Sequence, residues 1–235
     1  MEIFNVLFFK PSFNFIVFLT TILPGNDLGL AVVIYALFLN IFFKIFSPDP
    51  QKIEKIKKEI EELRNKYKEK GKDILNQEII QVYKKEGINP LLSFIFPVLQ
   101  LIIVFAFFIS LNQLRDGISI KEKEQLYFFI PPPSISNYFL GFIDLEKPFL
   151  VYGNSLKFYW PTFILVLPNI FLNFILFKKT TNVKKSTLFL FQKQFFYLSL
   201  FFSLVIPAIF VLYWLVNTIY SLILVKIKKH GSRNN

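Results

Sequence analysis

Residues 28–46 read LGLAVVIYALFLNIFFKIF, and residues 47–72 that follow read SPDPQKIEKIKKEIEELRNKYKEKGK. The first stretch carries a single charge, Lys44. A helix of about 20 mostly apolar residues crosses roughly 30 Å of hydrocarbon. The stretch is therefore read as a membrane span that ends where the composition flips to charge. Working outward, four further blocks have the same character: 91–111, 158–177, 188–206 and 208–225. The last two meet at Pro207, which requires a tight hairpin with almost no loop. The expected fold is an all-α integral membrane protein with five transmembrane helices, a cytoplasmic antiparallel helical hairpin and an N-terminal interfacial helix.

The composition agrees. Apolar residues make up 54% of the 235 and charged residues 18%, against about 45–50% and 25% in soluble domains. That excludes an ordinary soluble globule, and it excludes a disordered chain, which needs low hydrophobicity. The absence of Cys rules out a disulfide framework, a thiolate metal site and a Cys nucleophile. The one His, at position 230, leaves almost no room for imidazole chemistry. No HExxH, GxSxG, Walker A or GxGxxG pattern occurs. No carboxylate falls inside a span. No enzyme activity, metal or cofactor is expected.

Basic residues set the orientation. Residues 47–89 contain 11 Lys and Arg. The loop 178–187 contains Lys178, Lys179, Lys184 and Lys185, and the tail 226–235 contains Lys226, Lys228, Lys229 and Arg233. The long loop, over 112–155, has only Arg115, Lys121, Lys123 and Lys147, opposed by five acids. The positive-inside rule puts the first three on the cytoplasmic side and the long loop outside. The N-terminus is then outside, the C-terminus is cytoplasmic, and the expected location is a bacterial cell membrane. Residues 1–24 are apolar, but Lys10-Pro11 interrupts them and Pro24-Gly25 ends them. They are read as an outer-side interfacial helix, with a sixth span or a cleaved signal as alternatives.

In residues 47–89, Ile53, Ile56, Ile60, Leu63 and Tyr67 follow 3-4 spacing and share one helical face. Gly71 breaks the pattern, and a second stripe runs through Ile74, Leu75, Ile79, Val82 and Tyr83 to Gly87. Two readings follow. In one, the stripes merely zip a solvated spacer together. In the other, the hairpin is a docking arm whose contact face includes Ile53, Ile56, Ile60, Leu63, Tyr67, Ile79 and Tyr83. Two neighbouring spans need only a short connection, and this one is far longer.

Polar residues recur inside the spans at helical spacing: Asn40 and Lys44, Asn169 and Asn173, Ser199 and Ser203, then Tyr213, Asn217 and Ser221, with Gln100 and Trp214 besides. Residues four apart share a face. Each of them has a plain reading as helix glue or, for Lys44, as a snorkelling side chain. Together they suggest a shared hydrophilic groove.

Three stretches carry a family likeness. They are Gly87-Ile88-Asn89-Pro90-Leu91-Leu92 with Phe96-Pro97-Val98-Leu99-Gln100, then Phe139-Leu140-Gly141-Phe142-Ile143-Asp144-Leu145, then Pro207-Ala208-Ile209-Phe210-Val211-Leu212-Tyr213-Trp214-Leu215-Val216-Asn217-Thr218. In this order they resemble the YidC/Oxa/Alb family of membrane protein insertases. The resemblance implies insertion and folding of nascent membrane proteins, alone or with the Sec translocon. It implies a basic groove that receives a client's polar flank. It implies a cytoplasmic hairpin that meets clients, the ribosome or the signal recognition particle pathway, in contact with membrane lipids. The implied groove residues are Asn40, Lys44, Gln100, Asn169, Asn173, Tyr213, Trp214 and Asn217. The family's groove arginine falls at Asn40 here, a neutral amide. Lys44 lies one turn nearer the cytoplasm, about 6 Å by helix rise. Ile209 stands where the family has glycine. Rival readings are an assembly subunit without insertase activity, a small transporter or channel component, and another branch of the insertase superfamily.

Overall fold

The computed structural model describes residues 2–67, 72–115, 123–132, 134–152, 155–180 and 187–231. Gly71, Lys121, Lys184, Lys185 and Arg233, on which parts of the turn and orientation readings rest, lie outside these residues. So does most of the expected loop 178–187. The chain forms two compact units, Met1–Asn40 with Ala106–Asn235, and Ile41–Phe105.

Eight helices are described. They are α1 (Glu2–Ile22), α2 (Leu28–Phe46), α3 (Pro50–Lys66), α4 (Lys72–Lys85), α5 (Pro90–Arg115), α6 (Trp160–Thr180), α7 (Thr187–Val205) and α8 (Ala208–Gly231). Five of them, α1, α2, α5, α6 and α8, contain stretches long and apolar enough to cross a membrane. In α7 the described apolar stretch is Phe196–Val205.

Helix α1 runs through Lys10-Pro11 without a break. Proline removes an N–H, and its ring clashes with the carbonyl four residues back. A π-helical turn over Asn5–Phe9 sits just upstream, and the Lys10 N–H reaches Asn5 O. The wider turn moves the backbone out of register and the helix runs on to Ile22.

Three boundaries differ from the sequence reading. The third span starts at Trp160 rather than at 158, because Leu156–Phe158 is a strand. Helix α5 runs to Arg115, so the outer loop begins later than 112. Helix α8 continues through much of the basic tail to Gly231.

The segment between α5 and α6 also holds two antiparallel ribbons that periodicity did not reveal. Strand β1 (Tyr138–Phe139) pairs with β2 (Ile143–Asp144), and β3 (Leu150–Tyr152) pairs with β4 (Leu156–Phe158). Strands of two or three residues are too short for a period-2 pattern to register.

In the unit Ile41–Phe105, α3 and α4 pack as an antiparallel pair. Lys85 Nζ lies 3.4 Å from Glu59 Oε1, and Lys52 Nζ donates to Glu86 O at 3.0 Å. The seam is apolar, with Ile56 only 1% exposed and Val82 buried. Ile53, Ile60, Leu63, Tyr67, Ile79 and Tyr83 are half-buried, whereas Ile74 points outward. Helix α5 opens on an Asn-Pro pair. Asn89 Oδ1 accepts from the Leu91 N–H at 2.9 Å, and Pro90 occupies the first helical position, where no N–H is needed.

Candidate functional site

In the first unit the ribbon β1–β2 lies against the N-terminal end of α2. Asp27 caps α2: its Oδ1 accepts from the Leu30 N–H at 3.1 Å, while its Oδ2 accepts from the Leu140 N–H at 2.9 Å. One carboxylate thus satisfies an orphan helix donor and pins the turn of the ribbon. Leu140 and Gly141 take the left-handed conformation there, at φ 52° and 80°. The ribbon's Phe139 ring is seated on Gly29, where an added Cβ would clash with it. On the far side, the Ile209 N–H at the start of α8 donates to Leu145 O at 3.1 Å. The stretch 139–145, buried at Phe139 and Ile143–Leu145 and exposed at its turn, is therefore a tie between the N-terminal ends of α2 and α8. Ile143 and Leu145 lie at its centre.

Beneath it lies an aromatic layer. Tyr35 stacks on Phe107 with centroids 4.6 Å apart, and Tyr213 packs against Phe107 and Phe108 at 4.9 and 5.3 Å. The Tyr35 hydroxyl donates to Ser12 Oγ at 2.9 Å. The Tyr213 ring is buried in this layer and does not form an open wall. Trp214 is half-exposed, with its ring edge-on to Phe202.

Below the aromatic layer, polar side chains link four helices. The Asn40 amide donates to Ala36 O in its own helix and to Asn217 Oδ1 on α8. Successive residues of a helix point about 100° apart, so Thr218 faces a different neighbour. Its hydroxyl lies 3.4 Å from Asn173 Oδ1 on α6 and donates to Trp214 O. The Asn173 amide donates to Asn169 O and Oδ1, and the Asn169 amide donates to Ser203 Oγ on α7 at 2.9 Å. Ser203 in turn donates to Ser199 O. Asn169 is 0% exposed, which makes it interhelical glue. Asn40, Asn173 and Asn217 are half-exposed.

Of the residues expected to line a groove, the structure brings Asn40, Asn169, Asn173 and Asn217 into this network, with Tyr213 and Trp214 above it on α8. Lys44 and Gln100 are exposed residues of the second unit. Sequence reasoning passed over Thr218, which joins the α2 and α6 sides. Its place beside Asn217 in an apolar helix was the available signal. Asp27 was also missed, although an Asp directly before an apolar run is a capping signature.

Similarity to known proteins can be set against this geometry. The family described as "60Kd inner membrane protein" matches residues 24–232. Proteins named "Membrane protein insertase YidC" from Staphylococcus aureus strains JH9, Newman and MW2 are each 33% identical over 144 residues. That match covers 54% of this chain and 49% of theirs. The chain spans about half the length of the curated relatives it matches. With a family match that takes in every element from the cap of α2 to the end of α8, this multi-pass membrane protein belongs to the 60Kd inner membrane protein family, the YidC/Oxa/Alb family.

Proposed function

We propose that this chain is a membrane protein insertase. In this reading the half-exposed amides of Asn40, Asn173 and Asn217 form a wettable notch for the polar flank of a nascent membrane protein, and Asn169 and Ser203 hold the helices around it. The observation that carries the reading is a polar network at mid-helix, half-open to its surroundings and capped on one side by the 139–145 ribbon. A charged group costs several kcal/mol at the membrane centre, about 2.5–3.5 kcal/mol on insertion scales. A notch closed at one end shortens the hydrocarbon path for that group without opening a continuous pore. The client's own apolar helix then supplies the driving free energy as it moves into lipid.

The ribbon side faces outward in this reading, α3–α4 and the C-terminus are cytoplasmic, and the host is a bacterial cell membrane. Lys44, one turn along α2 from Asn40, supplies the charge that draws acidic flanks. The hairpin, with Ile56 turned into its own seam, offers the half-buried Ile53, Ile60, Leu63, Tyr67, Ile79 and Tyr83 and its exposed Lys and Glu side chains to clients, the ribosome or the signal recognition particle pathway. The Sec translocon is a partner for some clients, and no catalysis is involved. Replacement of the family's arginine by Asn40 favours one rival, an assembly subunit without insertion activity.

Two measurements test the proposal. Photo-crosslinkers at positions 40 and 217 are expected to capture a nascent single-span client, and expression of the chain is expected to restore growth to an insertase-depleted cell. Lipid-only adducts at both positions would sink the notch. Failure of complementation with the protein stably in the membrane would leave the assembly reading.

A further inference from the structure

Helix α1 is long and apolar enough to cross a bilayer, yet near its middle lies Asn14, 1% exposed. The Asn14 amide donates to Lys10 O at 2.8 Å and to Gln125 O at 2.9 Å, and its Oδ1 accepts from the Tyr127 N–H at 2.6 Å. Grasping the carbonyl of one residue and the N–H two residues on is what a neighbouring parallel strand does. A single side chain here clamps the loop backbone at 125–127 onto α1.

The clamped loop then makes a turn in which the Ile130 N–H donates to Tyr127 O at 2.9 Å. Its two corner residues are Phe128, fully exposed, and Phe129, 63% exposed, while Ile130 is buried. Turn corners facing water favour Gly, Pro, Asn, Asp and Ser. Two phenylalanines at the corners, held out by a clamp on one side and a buried isoleucine on the other, are suited to a non-aqueous surrounding. Phe18 and Ile22 follow Asn14 at four-residue spacing and share its face. Both are exposed. The turn thus continues an apolar surface that α1 begins.

The clamp also limits how deep α1 sits. Were α1 to span the membrane, the irregular backbone at 125–127 and the exposed Lys123 and Glu124 beside it would lie at mid-bilayer. Lipid-exposed irregular backbone does not occur there. We infer that Phe128 and Phe129 form a wedge in the outer-leaflet interface of the phospholipid bilayer, held by Asn14 so that the turn and the apolar face of α1 enter the lipid as one plate. This rests on the interfacial reading of α1 and adds a second lipid-binding element to it.

The chain has no cysteine, so single spin labels report cleanly. The full chain is reconstituted in phosphatidylethanolamine–phosphatidylglycerol vesicles with labels at Phe128→Cys, Leu7→Cys, Phe18→Cys or Ile22→Cys, and at Glu61→Cys as the aqueous reference. Accessibility to oxygen and to a water-soluble nickel chelate gives depth. The label at 128 is expected roughly 5–10 Å within the headgroup and acyl boundary, several-fold less accessible to nickel than the reference. The three labels on α1 are expected at one shared shallow depth. Adding Asn14→Ala is expected to return the 128 label to the aqueous signature while the α1 labels stay immersed. A 128 label as wet as the reference, with level α1 labels, overturns the wedge alone. A steady change of depth along α1 overturns both the wedge and the interfacial reading. A 128 label that stays immersed in Asn14→Ala overturns the clamp.

Discussion

The Asn40 side chain on α2 donates to Asn217 on α8 across 177 positions of sequence, and the next residue of α8, Thr218, turns to Asn173 on α6. Helix α8 is thereby the strut that couples both halves of the polar network. Interhelical polar pairs in membranes contribute about 0.6 kcal/mol on average and up to about 1.7. A double-mutant cycle with Asn40→Leu and Asn217→Leu is expected to give a coupling energy in that range, read from unfolding in mixed micelles. Insertion of a client with a long polar flank is expected to fall in both single variants and to stay low in the double. Recovery in the double would mean that the pair is glue and nothing more.

Gly29 is a close-approach position. A Cβ there would clash with Phe139, so Gly29→Ala forces the ribbon away from α2 at a cost of about 1–3 kcal/mol. The melting temperature is expected to drop and the 138–145 segment to become protease-sensitive. Phe139→Ala in the same chain is expected to restore little, because the Phe139 Cβ itself stands 2.8 Å from the added methyl and truncating the buried ring costs packing of its own.

Lys44→Met separates charge capture from snorkelling. Insertion of a client with an acidic flank is expected to fall several-fold, and a client with a neutral flank is expected to insert as before. Equal rates for both clients would reduce Lys44 to a headgroup contact.

Ile56 lies at the centre of the α3–α4 seam. Ile56→Ala is expected to destabilise the hairpin by about 2–5 kcal/mol, the usual cost of truncating a buried aliphatic side chain. Hydrogen exchange over residues 50–66 and 72–85 reads the effect. Protection unchanged from wild type would show that the seam carries little of the hairpin's stability.

Lys147 lies 2.9 Å from Asp144 Oδ2, and this ion pair and hydrogen bond raise the Lys147 pKa above its ordinary value of 10.5. A raised ammonium pKa stabilises the fold fully below the unfolded value and loses that contribution as pH climbs through the folded one. The melting-temperature difference between wild type and Lys147→Ala is expected to stay flat from neutral pH to the ordinary lysine value and to shrink above it. A difference that moves in the acid range would point to another group.

Much of the architecture was legible along the chain because a membrane tests residues locally. Apolar length and the 3-4 stripe of Ile53 to Tyr67 depend only on neighbours within a few turns. The Asn-Pro start of α5 and the break at Pro207 are local in the same sense. The polar stripes were legible too, as faces of single helices. Which stripe meets which was not. Asn40 finds Asn217 and Asn169 finds Ser203 only through helix rotation and close approach, which no single helix encodes. Burial of Tyr213, the seat of Phe139 on Gly29, the double use of Asp27 and the grip of Asn14 on residues 125–127 all join segments more than 100 positions apart. Such contacts arise from packing of the assembled bundle. That is why the helices could be named from their own residues, while the roles of their amides had to wait for the fold.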